Sequence, residues 1–179
     1  MSDTRDKNIE FNAASPTEFT EEYFQAMSDA QKSMDLSDLP EIIKVIQQTI
    51  DSGSTVYSMG NGGSSAIADH LVCDFTKGCY TDHSKLKSFS LNSNTPLFTA
   101  ISNDLSYKES FSKQLEYYLD DNDVILLISS SGNSENIISA IDYANQRGIK
   151  SITLTGFDGG DAKIKSSLNI HVSIDNYGI

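Results

Sequence analysis

Beyond Gly53 the chain alternates short apolar runs with stretches of helical periodicity, and this alternation restricts the fold more than any other feature of the sequence. The runs contain β-branched residues, which is typical of strands. The candidate strands are 55–59, 88–91, 124–128, 151–154 and 169–174, and the helical stretches between them are 64–76, 96–102, 107–119 and 134–147. Strands connected through helices pair in parallel, so the pattern predicts an α/β fold with helices on both faces of a parallel sheet. The apolar run 124–128 is the candidate for a central strand.

Two amphipathic helices are predicted ahead of the sheet, at 17–34 and 39–50. Asp38 before Pro40 favours a helix start, and Gly53 favours a helix stop. Residues 1–15 show little periodicity, so we expect a flexible N-terminal arm. The length of 179 residues fits one ordinary domain, which we place at 16–179.

Charge and composition narrow the choice of partners. The chain has 13 basic and 25 acidic side chains and a formal net charge of −12, which opposes binding to nucleic acid or to an anionic membrane surface. There is no apolar run of the roughly 20 residues that a membrane span needs, and the first residues are polar and acidic, so we expect a cytoplasmic protein. Cys73 and Cys79 do not suggest a disulfide, and we expect Cys73 to be a buried thiol.

Two polar loops follow predicted strands and open predicted helices. The first is Gly60-Asn61-Gly62-Gly63-Ser64-Ser65, and the second is Ser129-Ser130-Ser131-Gly132-Asn133-Ser134. Each can present backbone N–H groups at the positive end of a helix, with hydroxyls as further donors. Because ligands of parallel sheets lie beyond the carboxyl ends of the strands, we expect the two loops to converge on one phosphate.

The nucleotide-binding motifs do not fit these loops. Gly60 and Gly62 begin a G-x-G-x-x-G pattern, but Ser65 replaces its third glycine and no acidic residue ends the second strand. A G-x-x-x-x-G-K-[ST] sequence is also missing from the chain. We therefore predict a phosphorylated sugar as ligand and no nucleotide cofactor.

Taken together, the motifs resemble those of SIS (sugar isomerase) domains, and in particular of the phosphoheptose isomerases, which act on sedoheptulose 7-phosphate. The resemblance extends from about Glu18 to the end of the chain. It rests on both polar loops, on His70 and Asp74 within one helix, on Asn103-Asp104, and on the turn Thr155-Gly156-Phe157-Asp158-Gly159-Gly160.

The resemblance implies a flavodoxin-like three-layer sandwich with five parallel strands and a homotetramer whose active sites form between subunits. The implied reaction converts sedoheptulose 7-phosphate into D-glycero-D-manno-heptose 7-phosphate, a precursor of lipopolysaccharide or capsule. Matching positions assign substrate binding to Asn61, Gly62, Ser64, Asn103, Asp104, Ser129, Ser130, Ser131, Asn133 and Ser134. The implied proton-transfer base is the carboxylate of Asp74, and in some members the equivalents of His70 and Asp74 bind zinc.

The chemistry of aldose–ketose isomerisation agrees with this assignment. Moving the carbonyl between two carbons requires a base next to it and a proton donor at the enediolate oxygens. His70 and Asp74 are spaced i, i+4 and share one helical face, so Asp74 can act as the base with His70 beside it or as a metal ligand. A surface hydrogen bond is the alternative for this pair, and a zinc site would need at least one more ligand. His171 falls in the last strand pattern and is interpreted as a strand residue.

Two departures from the family keep a second function open. The family base is normally a glutamate, which is one methylene longer than Asp74. The family also continues into a helix with a glutamine and the histidine usually assigned as general acid, so we expect the domain at 16–179 to lack its C-terminal helix. The alternative hypothesis is a non-catalytic SIS domain that binds a phosphosugar or a protein partner.

Overall fold

The computed structural model describes residues 9–82 and 84–179. Within these residues the strands are β1 (Thr55–Gly60), β2 (Lys87–Ser90), β3 (Val124–Ser129), β4 (Lys150–Thr155) and β5 (Leu168–His171). The helices are α1 (Pro16–Ser33), α2 (Leu39–Ser52), α3 (Gly63–Cys73), α4 (Thr95–Asp104), α5 (Ser112–Tyr118), α6 (Glu135–Arg147) and α7 (Gly160–Lys165). In the described part of the chain, no helix combines the length and the apolar character needed to cross a membrane.

The five strands form one parallel sheet in the order β2-β1-β3-β4-β5. This is the flavodoxin-like order, and it confirms the predicted fold class. The chain reverses its direction of travel across the sheet between β1 and β3, which pair with Met59 opposite Leu127 and Gly60 opposite Ile128. Every residue of β3 is buried, as its continuous apolar sequence predicts.

Each face of the sheet is covered by its own hydrophobic cluster. Alternate residues of β3 supply both, since Val124 and Leu126 belong to one cluster while Ile125 and Leu127 belong to the other. The first cluster also takes side chains from α2 and α3, and the second takes them from α5, α6 and α7. The helices of the two faces therefore anchor the loops that leave the strand ends.

The structure changes several local predictions. The helix predicted over 64–76 is α-helical only to Cys73 and continues as a π-helical turn, Asp74–Gly78. The helix predicted over 107–119 is divided into a 3₁₀ turn, Tyr107–Glu109, and α5. These departures come from hydrogen-bond geometry at helix ends, which side-chain periodicity does not encode.

Two further predictions are wrong, and one helix has no sequence signal. Strand β5 ends at His171, short of the predicted 174, because the chain bends after it and Ile174 donates to the Val172 carbonyl. Helix α7 was not predicted, since six residues are too few to show a period. The expected burial of Cys73 is wrong, because the side chain lies exposed in the last turn of α3.

The N-terminal region lies only partly within the described residues. Positions 1–8 of the predicted arm fall outside them. From there, the Ile9 N–H donates to the Asp175 carbonyl at 2.9 Å, and the Phe11 ring lies 5.2 Å from that of Phe19. Helix α1 then begins at Pro16, with the Ser15 hydroxyl accepting from the Glu18 N–H.

Candidate active site

The two polar loops line one cleft of about 520 Å³ at the carboxyl ends of β1 and β3. They meet there because β1 and β3 are neighbours in the sheet and their loops leave it at the same edge. The cleft is lined by Asn61, Gly62, Gly63, Ser64, Ile67, Ile128, Ser129, Ser130, Ser131, Ser134 and Tyr177. Ser64 and Ser131, far apart in sequence, thus face the same space, as the sequence predicts.

The cleft offers hydrogen-bond donors suited to an anion. Helix α3 begins at Gly63 and α6 at Glu135, so two helix N-termini open at the cleft. Three hydroxyls of the cleft have no hydrogen-bond partner among the described residues, those of Ser64, Ser130 and Ser134. Ser134 is the N-cap residue of α6, but its side chain makes no capping hydrogen bond. These groups can bind phosphoryl oxygens without the help of a charged side chain.

Asn61 holds the first loop to helix α6. Its Nδ2 donates to Asn136 Oδ1 at 2.8 Å, its Oδ1 accepts from Asn136 Nδ2 at 3.0 Å, and the same Oδ1 accepts from the Tyr107 hydroxyl at 2.8 Å. Asn136 is fully buried and also donates to the Ser110 hydroxyl. Asn61 therefore links the first loop to α6, the helix that follows the second loop, while the prediction that it faces the sugar stays a prediction.

A second amide fixes the base of the first loop. Asn92 donates from its Nδ2 to the Gly60 carbonyl at 2.8 Å and accepts the Gly60 N–H at 3.1 Å. Through these two bonds, the Asn92 side chain pairs with the backbone at the end of β1, beyond the last backbone pair of β1 and β2. Sequence reasoning did not single out Asn92 or Asn136 for a role of this kind, because each acts through a partner that is distant in sequence.

The second loop is held by the first turn of α7. Asn133 donates from Nδ2 to the Ser131 carbonyl at 3.0 Å and accepts the Asp161 N–H at 3.1 Å. Gly132 has a φ of +65°, and a Cβ at this position would overlap the Gly159 carbonyl. Asn133 does not line the cleft and instead positions the loop that does.

The remaining predicted site residues lie apart from the cleft. Asn103 and Asp104 are at the end of α4, where Asn103 Nδ2 donates to Asp104 Oδ1 at 2.8 Å. His70 Nε2 lies 3.5 Å from Asp74 Oδ2, and the two side chains are 77% and 60% exposed. None of these four residues lines the cleft within one chain.

A zinc site on His70 and Asp74 is not complete in this chain. The two side chains supply two donors, and a zinc ion held by protein needs at least three. Across residues 9–82 and 84–179, no three His, Cys, Asp or Glu side chains are grouped so that they could hold a metal ion. The donors present therefore do not fit a zinc centre by themselves.

Most of the chain matches a family of known proteins. The family model for the SIS domain matches residues 19–156 of the chain. The chain belongs to the SIS domain family. It is 36% identical over 139 residues to the probable phosphoheptose isomerase of Thermoplasma volcanium, an alignment that covers 78% of this chain and 71% of that relative.

Two further proteins similar to this chain are phosphoheptose isomerases by name. The phosphoheptose isomerase of Colwellia psychrerythraea is 44% identical over 114 residues, which cover 64% of this chain and 58% of the length of that relative. The solved structure of the phosphoheptose isomerase from Neisseria gonorrhoeae superposes with a TM-score of 0.78 at 29% identity, covering 89% of this chain and 85% of that one. Within the SIS family, the chain falls in the phosphoheptose isomerase group.

Proposed function

We propose that this protein is an aldose–ketose isomerase that converts sedoheptulose 7-phosphate into D-glycero-D-manno-heptose 7-phosphate. The observation that carries the proposal is the single cleft formed by Ser64 and the loop 129–134 at the point where the sheet order reverses. The names of the relatives support the choice of reaction. The product would supply heptose for lipopolysaccharide or capsule.

In the proposed complex, the phosphate occupies the serine-lined cleft. The hydroxyls of Ser64, Ser129, Ser130, Ser131 and Ser134 and the first-turn N–H groups of α6 would donate to its oxygens. Hydrogen bonds to an ionised group are stronger than neutral ones, so several uncharged donors can hold a dianion in a chain of net charge −12. The phosphate thereby fixes one end of the sugar.

Helix α3 points from the phosphate towards the proposed base. Asp74 follows Ile67, which lines the cleft, by seven residues, so both lie on the same side of the helix about two turns apart. An extended phosphosugar would run along this side. The Asp74 carboxylate would take the proton from C1 of the ketose and return it to C2, the former carbonyl carbon, while His70 orients the carboxylate. The hydroxyl proton of O1 would move to O2 through the general acid, so that C1 becomes the carbonyl and C2 carries the hydroxyl.

The exposure of His70 and Asp74 supports an assembly in which a neighbouring subunit covers them. Isomerisation through an enediolate needs bulk water to be excluded, and one chain leaves both side chains open to solvent. A homotetramer with sites between subunits would close this region and would bring further groups, including Asn103 and Asp104 of some subunit, towards the sugar. The general acid, the zinc ligands and the cytoplasmic location remain predictions.

The same exposure favours a second candidate, a SIS domain that binds a phosphosugar or a protein partner without turnover. An NMR assay separates the two. Purified protein is mixed with sedoheptulose 7-phosphate, and the anomeric proton signals of the aldose product are followed over time, with unphosphorylated sedoheptulose as the control substrate. Product from the phosphorylated sugar alone supports the isomerase, whereas binding without product rejects it in favour of the binding domain.

A further inference from the structure

A second pocket of about 360 Å³ lies on the face of the sheet opposite α3, between strands β1 and β2 and helix α5. We call it the aromatic pocket and define it by Tyr57, Phe89, Ser93, Asn94, Gln114 and Tyr118. It shares no lining residue with the serine-lined cleft. Nothing in the proposed isomerisation uses it.

Three aromatic rings that line this pocket form two stacked pairs, with Tyr57 common to both. The Tyr57 and Phe89 rings stack with centroids 6.3 Å apart, and Tyr57 stacks on Tyr118 at 6.4 Å. Tyr57 is fixed in place because its hydroxyl donates to the Tyr118 carbonyl at 3.1 Å, whereas Phe89 is 59% exposed. The faces of aromatic rings carry partial negative charge and attract cations.

The lining of this pocket also contains an unsatisfied acceptor. Gln114 is fully buried, and its Nε2 donates to the Ser110 carbonyl at 2.8 Å. This bond fixes the orientation of the amide, because the flipped amide would place its oxygen against a carbonyl. Gln114 Oε1 is buried and has no hydrogen-bond partner among the described residues. A buried acceptor without a partner is costly, so a ligand with an N–H group would gain by pairing with it.

The charges around Tyr57 are negative. The buried Asp123 carboxylate accepts the N–H groups of Thr55 and Asp120, each at 2.8 Å. Burial is the main cause that raises the pKa of Tyr57, and the charges of Asp123 and Asp120 raise it further. Lys113, beside Gln114 on α5, is paired with Glu116 at 2.7 Å.

From the ring faces, the unpaired amide oxygen and the neighbouring carboxylates, we infer that the aromatic pocket binds a compact organic cation that combines a planar ring with N–H donors. The ring would stack on the wall formed by Tyr57 and Phe89, and an N–H would donate to Gln114 Oε1. The volume admits a ligand of about one ring and its substituent. Anions of the same shape would be excluded.

Benzamidinium is a suitable probe, and ligand-observed NMR titration of the full chain measures its binding. We expect saturable binding with a Kd on the order of 1–10 mM, because so small a ligand has few atoms to contribute. Benzoate, the anion of similar shape, should bind at least about tenfold more weakly. Saturating inorganic phosphate should not displace benzamidinium, since it would occupy the other cleft.

Two variants locate the probe in the pocket. Phe89→Leu should weaken benzamidinium about three- to tenfold through loss of a ring face, and Gln114→Leu should weaken it through loss of the acceptor. Phe24→Leu, which changes an exposed ring on α1, is the matched control and should leave the Kd unchanged. Because Phe89 is exposed, its variant keeps the test valid should Gln114→Leu fail to fold.

The inference is overturned by the lack of saturable binding, by equal binding of benzoate, by displacement with phosphate, or by an unchanged Kd in Phe89→Leu. None of these outcomes depends on turnover of a sugar phosphate. Failure of the isomerase proposal and failure of the aromatic pocket are therefore separate results.

Discussion

The two ends of helix α3 differ in how completely a single chain builds them. At its N-terminus, the helix opens into a cleft whose second wall comes from the loop after β3, and the amides of Asn61, Asn136 and Asn92 hold that arrangement. At its C-terminus, His70 forms an exposed pair with Asp74, the first residue of the π-helical turn. The first end is fixed by sheet topology, whereas the second is open and would need a neighbour to become a reaction site.

The largest expected effect tests the exposed pair at the C-terminal end of α3. Asp74→Asn removes the proposed base and should lower kcat by about 10²- to 10⁴-fold, while binding of the substrate is retained. Steady-state rates with sedoheptulose 7-phosphate measure the effect. Asp69→Asn makes the same charge change on the same helix and should leave kcat unchanged. Equal rates for Asp74→Asn and the native protein would contradict the role of Asp74.

The next effect tests how firmly the two loops are joined. Gly132→Ala would place a Cβ on a residue with positive φ and against the Gly159 carbonyl. Because both effects destabilise the folded chain, we expect the free energy of unfolding to fall by roughly 2–4 kcal/mol. Gly148→Ala has a similar φ of +69° but open space around it, so it should cost about 1 kcal/mol. Urea denaturation measures both, and equal losses would show that the loop contact contributes nothing.

A smaller effect tests the phosphate donors of the serine-lined cleft. Ser134→Ala removes a hydroxyl at the N-terminus of α6 and should raise KM about tenfold or more through the loss of one hydrogen bond to a dianion. Ser139→Ala, in the same helix, removes a hydroxyl that donates to Ser112 Oγ at 3.0 Å and should leave KM unchanged. An unchanged KM in Ser134→Ala would argue against a phosphate contact.

The smallest effect compares two histidines. His171 is buried and contacts Thr155 at 3.1 Å, and its pKa is lowered from 6.5 by burial and then by the charge of Lys163. The unfolded chain therefore binds a proton more readily, so stability should fall as the pH is lowered below about 6.5 towards the folded pKa.

Denaturation at pH values between 5 and 7.5 would measure this dependence. His171→Gln should flatten the profile by up to one proton, because the titrating ring is gone. His70→Gln is the control, since its ring is exposed in the folded chain. An unchanged profile in His171→Gln would assign the dependence to other groups.

The sequence by itself determined the layers of the fold and the chemistry of the loops. Alternation of apolar runs with helical periods is a local property of the chain, and it correctly predicts the five parallel strands and the buried strand β3. The amphipathic period ahead of the sheet correctly predicts α2. The serine- and glycine-rich loops could be located for the same reason, because a strand followed by a helix fixes where its loop must lie.

Only the tertiary structure decided which parts meet. The neighbouring positions of β1 and β3, the pairing of Asn61 with Asn136, and Tyr177 at the cleft all depend on contacts between distant residues, which local periodicity does not contain. The same holds for the π-helical turn after α3 and for the orphaned oxygen of Gln114. Local side-chain pattern sets the elements, but hydrogen bonding and close packing between them set the geometry of the site.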